Sequence, residues 1–109
     1  MTLTRLDRRT FLFTVAALLT TGRNAESHNG IVHITIKNLA FIPDTVTVRR
    51  GETVEWTNQD PMAHTATVKG GWEVVIPPGE RANRIITDGT NIEYYCRFHP
   101  NMKGHIEII

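Results

Sequence analysis

The chain has 109 residues, one cysteine and a formal net charge of +1, and its length suits one small domain. A single cysteine excludes an intramolecular disulfide. Residues 26–109 carry 8 basic and 10 acidic side chains, a net charge of −2, which gives no electrostatic footprint for nucleic acid.

Residues 1–25 have the features of an export signal. The pair Arg8-Arg9 precedes an apolar run at residues 11–19, which is too short to span a bilayer. This order resembles the twin-arginine signal of bacteria, although Phe13 stands where that pattern often has lysine. We interpret residues 1–25 as a twin-arginine-type signal peptide.

The mature chain is then expected at residues 26–109, as a periplasmic domain without a membrane span. The cleavage position stays open: Ala25 could end the leader, although Arg23 is a poor partner for a small-x-small site, and Gly22 with Thr20 is another candidate. The alternative is a leader that is not cleaved and acts as a membrane anchor.

From residue 31 onward, apolar and polar residues alternate, which is typical of half-buried strands. The predicted strands cover residues 31–37, 45–48, 53–58, 64–68, 72–76, 84–87, 92–96 and 104–109. Turn signals separate them, of which Pro77-Pro78-Gly79 is the strongest. Seven or eight short strands, with no helical periodicity of useful length, predict an all-β sandwich or barrel.

Three potential metal ligands lie within the segment at residues 96–102. They are the thiolate of Cys96, the imidazole of His99 and the thioether of Met102, and His64 on an earlier predicted strand offers a second imidazole. Two histidines, a cysteine and a weak methionine are the ligands of a blue-copper site. Zinc also takes histidine and cysteine, but methionine is a poor zinc ligand, so the set favours copper.

These ligands belong to a set of motifs that resembles the cupredoxin family, and most of all its amicyanin and plastocyanin group. The motifs are Phe41-x-Pro43, Val48-x-x-Gly51-Glu52-x-Val54-x-Trp56-x-Asn58, residues 60–64, Pro78-Gly79 and Tyr94-x-Cys96-x-x-His99-Pro100-x-Met102-x-Gly104. The resemblance covers residues 31–109. It implies a Greek-key β-sandwich that binds one type 1 copper ion through His64, Cys96, His99 and Met102.

Three residues lie next to the expected ligands. Two of them differ from the family pattern, and the third belongs to the motif. Phe98 stands where amicyanins have proline, so its N–H is available to the Cys96 sulfur, which would raise the reduction potential. Thr65 stands where the family often has asparagine, and we expect its hydroxyl to tie the two ligand loops together. Pro100 follows His99, which the resemblance places at the surface in an apolar patch where partners dock.

Three functions are compatible with such a site. The first is a monomeric one-electron carrier between redox proteins, for which the resemblance suggests an amine dehydrogenase and a c-type cytochrome. The second is a copper storage or delivery module, although such proteins tend to use exposed Met/His clusters. The third is an enzyme, which would need further copper ligands and a second domain. We expect the electron carrier, with copper as cofactor and no enzymatic activity.

Overall fold

This computed structural model describes residues 27–28 and 30–109, and the predicted export signal at residues 1–25 lies outside them. The strands are β1 (Ser27–His28), β2 (Ile31–Ile36), β3 (Phe41–Ile42), β4 (Thr45–Val48), β5 (Thr53–Asn58), β6 (His64–Thr67), β7 (Glu73–Ile76), β8 (Arg81–Ile85), β9 (Asn91–Cys96) and β10 (His99–Ile108). Only β1 and β3 have two residues; the other eight described strands match the predicted number. Within these residues, no helix is long and apolar enough to cross a membrane.

The strands form two sheets that enclose one core. The first sheet has the order β1-β2-β5-β8, with β3 also paired to β2, and the second has the order β4-β10-β9-β6-β7. The β2–β5 and β4–β10 pairs are parallel, while the other pairs are antiparallel. The chain therefore crosses repeatedly between sheets, and the predicted Greek-key β-sandwich is confirmed.

Alternation along the strands decides which side chains enter the core, as the sequence predicts. In β2, Val32, Ile34 and Ile36 are buried while His33 is exposed. The same pattern buries Val46, Val48, Val54, Trp56, Ile92, Tyr94, Cys96, Ile106 and Ile108. Burial of this apolar surface is the main stabilising contribution to a domain of this size.

One predicted strand has different bounds in the structure. β8 spans Arg81–Ile85, whereas the apolar run had indicated residues 84–87. No residue of β8 is fully buried, because this strand lies at the edge of the first sheet and Arg84 covers the ring of Trp72 at 4.8 Å. The buried residue in this region, Ile86, follows the strand.

The second sheet brings the predicted ligands to one end. β6 begins at His64 and β9 ends at Cys96, and these antiparallel neighbours therefore present both residues at the same end of the sheet. β10 starts at His99, earlier than the predicted residue 104, because His99 pairs with Cys96 across a tight turn. The register then shifts between His99 and Lys103, and this irregular segment contains Met102.

Candidate metal centre

The donor atoms of three predicted ligands converge at this end of the second sheet. His64 Nδ1 lies 3.6 Å from Cys96 Sγ, and His99 Nδ1 lies 3.7 Å from the same sulfur. The ligand atoms of all three residues lie within 4.8 Å of one another. Two ligands about 2.0–2.3 Å from one ion, at tetrahedral to trigonal angles, lie about 3.5–3.8 Å apart. Both distances to the sulfur therefore suit a shared metal ion.

Met102 lies beside His99 and adds a thioether to this donor set. Its side chain is 4% exposed and lines the same shallow depression as His99. His64 and Cys96 are fully buried, whereas His99 is partly exposed. Two imidazoles, a thiolate and a thioether together accommodate both Cu(I) and Cu(II). The residues present therefore fit a copper ion.

Asp60 orients His64. Its Oδ2 accepts a hydrogen bond of 2.8 Å from His64 Nε2, so Nδ1, the nitrogen nearest Cys96, carries the lone pair for the metal. Burial raises the pKa of Asp60, but hydrogen bonds from Leu39 N–H, His64 and Asn38 N–H outweigh it, and the pKa lies below its usual value. Asp60 is therefore an ionised carboxylate that fixes the ring of a ligand.

The same carboxylate holds an unusual loop. Asn38 and Leu39 have φ angles of 53° and 60°, a left-handed conformation that costs an ordinary residue about 1–2 kcal/mol. Their backbone N–H groups donate to Asp60 at 2.7 and 3.0 Å, which stabilises the loop. As a result, Leu39 is 47% exposed and lies in the wall of the depression beside His99.

Thr65 contacts the chain on both sides of the Cys96 sulfur. Its N–H donates to Cys96 Sγ at 3.4 Å, and its Oγ1 accepts from Arg97 N–H at 2.8 Å. Since Thr65 follows one ligand and Arg97 follows another, these bonds join the two ligand segments. The hydroxyl thus occupies the place for which the sequence had suggested a tie between the loops.

Phe98 differs from expectation. Among the residues that the structure describes, the backbone donor to Cys96 Sγ is Thr65, and Phe98 N–H makes no hydrogen bond to the sulfur. The physical reason is that Phe98 lies in the tight turn after Cys96, whereas Thr65 belongs to β6, the strand beside the sulfur. Phe98 is instead 48% exposed, and the guanidinium of Arg97 lies 4.9 Å from the centroid of the Phe98 ring.

An apolar surface surrounds the partly exposed ligand. We call it the His99 patch, and it is lined by Leu39, Phe98, His99, Pro100, Asn101 and Met102. Leu39, Phe98 and Pro100 are exposed, so apolar atoms border the imidazole edge that solvent can reach. Exposed apolar patches on small proteins often mark sites of protein association.

Sequence reasoning missed Asp60 as a functional residue, although it fell within the quoted motif at residues 60–64. The available signal was an acidic residue four positions before a candidate ligand. In a loop, that spacing does not show contact, so the hydrogen bond between Asp60 and His64 could be recognised only in the folded chain.

Comparisons with known proteins identify the family of this chain. A family model described as Cupredoxin-like domain matches residues 10–108. Amicyanin of Paracoccus versutus is 27% identical over 84 residues, which are 69% of this chain. The chain thus spans less than two thirds of that relative, 62% of its length. Amicyanin-alpha of Methylorubrum extorquens is 29% identical over 90 residues, 76% of each protein.

Solved structures show the same fold. The crystal structure of amicyanin from Paracoccus versutus has a TM-score of 0.66 and 23% identity, and the match covers 77% of this chain and 86% of that one. The reduced state of an amicyanin mutant with phenylalanine in place of a proline has a TM-score of 0.67 and 22% identity, and covers 77% and 87%. With the family match over most of its length and a donor set suited to copper, the chain belongs to the cupredoxin-like domain family and has one type 1 copper ion as its cofactor.

Proposed function

We propose that this protein is a blue-copper electron carrier whose copper ion is bound by His64, Cys96, His99 and Met102. The observation that carries the proposal is the convergence of two imidazole Nδ1 atoms on one buried thiolate, at 3.6 and 3.7 Å. The bound copper supplies a Cu(I)/Cu(II) couple that stores one electron. The protein supplies a donor set suited to both oxidation states.

The surrounding residues keep these ligands in place. Asp60 holds the ring of His64, and Thr65 holds the sulfur and the turn after Cys96. Because the ligands sit on or next to paired strands, their positions need little change between the two oxidation states. Small rearrangement favours fast electron transfer and supports a carrier over a module that must release its metal.

Electrons are expected to enter and leave through His99. This ligand is partly exposed, while His64, Cys96 and Met102 are buried. The His99 patch is apolar, so a partner with a complementary apolar surface can exclude water and approach the imidazole closely. The partner's cofactor would then lie a short distance from the copper.

The partners that we propose follow from the relatives. The curated relatives are amicyanins, and we propose an amine dehydrogenase as electron donor and a c-type cytochrome as acceptor. The twin-arginine-type signal at residues 1–25 supports export to the periplasm, where the protein acts as a monomer. We assign electron transfer rather than catalysis, because an electron carrier needs only a single copper ion and no substrate pocket.

The visible absorption spectrum of the protein loaded with Cu(II), beside that of Cys96→Ala, tests this proposal. We expect an intense blue thiolate-to-copper band that a mild reductant bleaches and that the variant lacks. Tight copper binding without this band would favour storage or delivery. No copper binding would mean that only the fold is shared with the relatives. Stopped-flow mixing with candidate donors would then test the partner assignment.

A further inference from the structure

A closed ring of hydrogen bonds lies next to Cys96. Arg97 N–H donates to Thr65 Oγ1 at 2.8 Å, and Thr65 Oγ1 lies 2.8 Å from Thr67 Oγ1. Thr67 Oγ1 lies 2.7 Å from Glu73 Oε1, and the guanidinium of Arg97 donates to both oxygens of Glu73, at 2.8 and 3.0 Å. We call these four residues the Glu73 clamp.

The direction of every hydrogen bond in the clamp can be deduced. Hydrogen bonds from Arg97 and Thr67 lower the pKa of Glu73 to about 2, so its carboxylate is ionised at neutral pH and only accepts. Thr67 must therefore donate to Glu73. Because the single hydroxyl proton of Thr67 is used in that bond, Thr65 must donate to Thr67, while its oxygen accepts from Arg97 N–H. The relay runs in one direction, from the Arg97 amide to the carboxylate.

The threonines of this relay are shielded from water, although both project from the face of β6 opposite to Ala66. The exposed fractions are 0% for Thr65 and 8% for Thr67. Arg97 and Glu73 cover them, with side chains that are 52% and 31% exposed. Since buried hydroxyl groups need partners within the protein, the clamp is their source of hydrogen bonds.

We propose that Glu73 and Thr67 are positioning residues for the copper thiolate, acting through Thr65 on the backbone that follows Cys96. This inference rests on the proposed copper site. Thr65 is bonded to the Cys96 sulfur through its N–H and to the next amide through its hydroxyl. A relay that ends on an anion polarises each hydroxyl, and this strengthens the bond to the amide.

Loss of the relay has an expected effect on the copper. If the turn after Cys96 loosens, the contact between Thr65 N–H and the sulfur weakens. The thiolate then carries more charge and donates more strongly to Cu(II), which lowers the reduction potential. This effect distinguishes positioning of the ligand from a contribution to folding alone.

Thr67 provides the cleanest test, because two variants differ in the hydroxyl. Thr67→Val removes it with little change in shape, whereas Thr67→Ser retains it. Hydrogen exchange of the Arg97 amide is measured by NMR in the metal-free protein, with the Ile34 amide as an internal reference for folding. We expect exchange at least about tenfold faster in Thr67→Val, which reflects a lost hydrogen bond, and within about twofold of the parent in Thr67→Ser.

Glu73→Gln is expected to accelerate exchange of the Arg97 amide as well. Its control is Glu55→Gln, which removes a carboxylate of the first sheet that pairs with His33 at 3.3 Å. That variant should leave the Arg97 amide unchanged. Unaltered exchange in both Thr67→Val and Glu73→Gln would overturn the proposal, because the relay would then not hold the turn.

The copper-loaded protein gives the second readout. Thr67→Val should have a lower reduction potential and a shifted thiolate-to-copper band, and Thr67→Ser should match the parent in both. Equal potentials and spectra for the two variants would overturn the proposal. Glu73→Gln is excluded here, since loss of a negative charge by itself raises the potential. If the parent shows no such band, the proposed function fails, whereas amide exchange in the metal-free protein still decides whether the clamp fixes the turn.

Discussion

Gly104→Ala tests how tightly the core is packed around Tyr94, on the strand that carries Cys96. It lies in β10 opposite Tyr94 of β9, and the ring of Tyr94 fills the space above it. A Cβ at this position would lie 2.2 Å from Tyr94 Cζ and 2.4 Å from its hydroxyl oxygen. Carbon atoms in contact are normally about 3.5–4.0 Å apart, so the ring of Gly104→Ala would have to move by about 1.3 Å or more.

The ring of Tyr94 has little freedom to move. It is 2% exposed and makes edge-on contacts with Phe41 and Trp56, with centroids 4.7 and 5.7 Å apart. Trp56 Nε1 also donates to its hydroxyl at 3.3 Å. Overpacking of a core typically costs about 1–3 kcal/mol. We expect about 3 kcal/mol for Gly104→Ala, because the shift disturbs three packed aromatic rings.

Thermal unfolding of the metal-free protein measures this loss. For a domain of this size, about 3 kcal/mol corresponds to a decrease in Tm of about 12–24 °C. Gly79→Ala is the matched control, since Gly79 has a φ of 72° and no atom within 4 Å of the added carbon. Its cost should be only that of the left-handed backbone, about 1–2 kcal/mol.

A double-mutant cycle separates steric overlap from other causes. In the background of Tyr94→Leu, the overlapping ring atoms are gone, and Gly104→Ala should cost less than about 1 kcal/mol. The reasoning would be refuted if Gly104→Ala cost no more than Gly79→Ala, or if its cost were the same in both backgrounds.

Three further predictions concern the site and its surroundings. Asp60→Asn should weaken copper binding about 10–100-fold in chelator competition, because the ring of a ligand loses its acceptor; an equal loss in the exposed control Asp88→Asn would contradict this. The ion pair of Glu73 should stabilise the metal-free protein above the usual pKa of 4.5 and lose this effect as the pH falls toward about 2. The difference in Tm from Glu73→Gln should therefore shrink on acidification, and a constant difference would argue against the pair. Leu39→Asn suits the left-handed backbone but removes apolar surface, so electron transfer with a redox partner should slow about tenfold. Ile85→Asn, which removes an exposed apolar side chain from β8 at the edge of the first sheet, should not change the rate.

Alternation in the sequence was sufficient to predict the fold class and most of the core. The periodicity of β2, β4, β5 and β9 is strong because each has one face toward the core and one toward solvent. β8 was misplaced because its inward positions are Ala82 and Arg84, which do not form an apolar pattern. Alternation of apolar and polar residues indicates that one face of a strand is buried. An edge strand with half-buried polar residues shows little alternation.

The four expected ligands were identified because their chemistry is distinctive, whereas the residues that hold them were not. Asp60 and Glu73 are acidic residues in a loop and at the start of a strand, where a solvated role is the usual one. Their function depends on which strands become neighbours, and that information is absent from local spacing. The hydrogen bond expected from Phe98 N–H is absent for a related reason, because the Cys96 sulfur accepts from Thr65 N–H of β6 instead.

The two carboxylates also explain why this site suits an electron carrier. Asp60 and Glu73 both have pKa values below the ordinary range; Asp60 accepts hydrogen bonds from the Asn38 and Leu39 N–H groups, and Glu73 accepts them from the Thr67 hydroxyl and the Arg97 guanidinium. One fixes the ring of His64, and the other fixes the turn after Cys96 through Thr65. His64 and Cys96 belong to adjacent strands, and their donor atoms lie 3.6 Å apart. The two carboxylates therefore restrain this distance from both strands. A ligand pair restrained from both strands resists the change in geometry that release of the metal would require, yet permits a change in oxidation state that needs almost none.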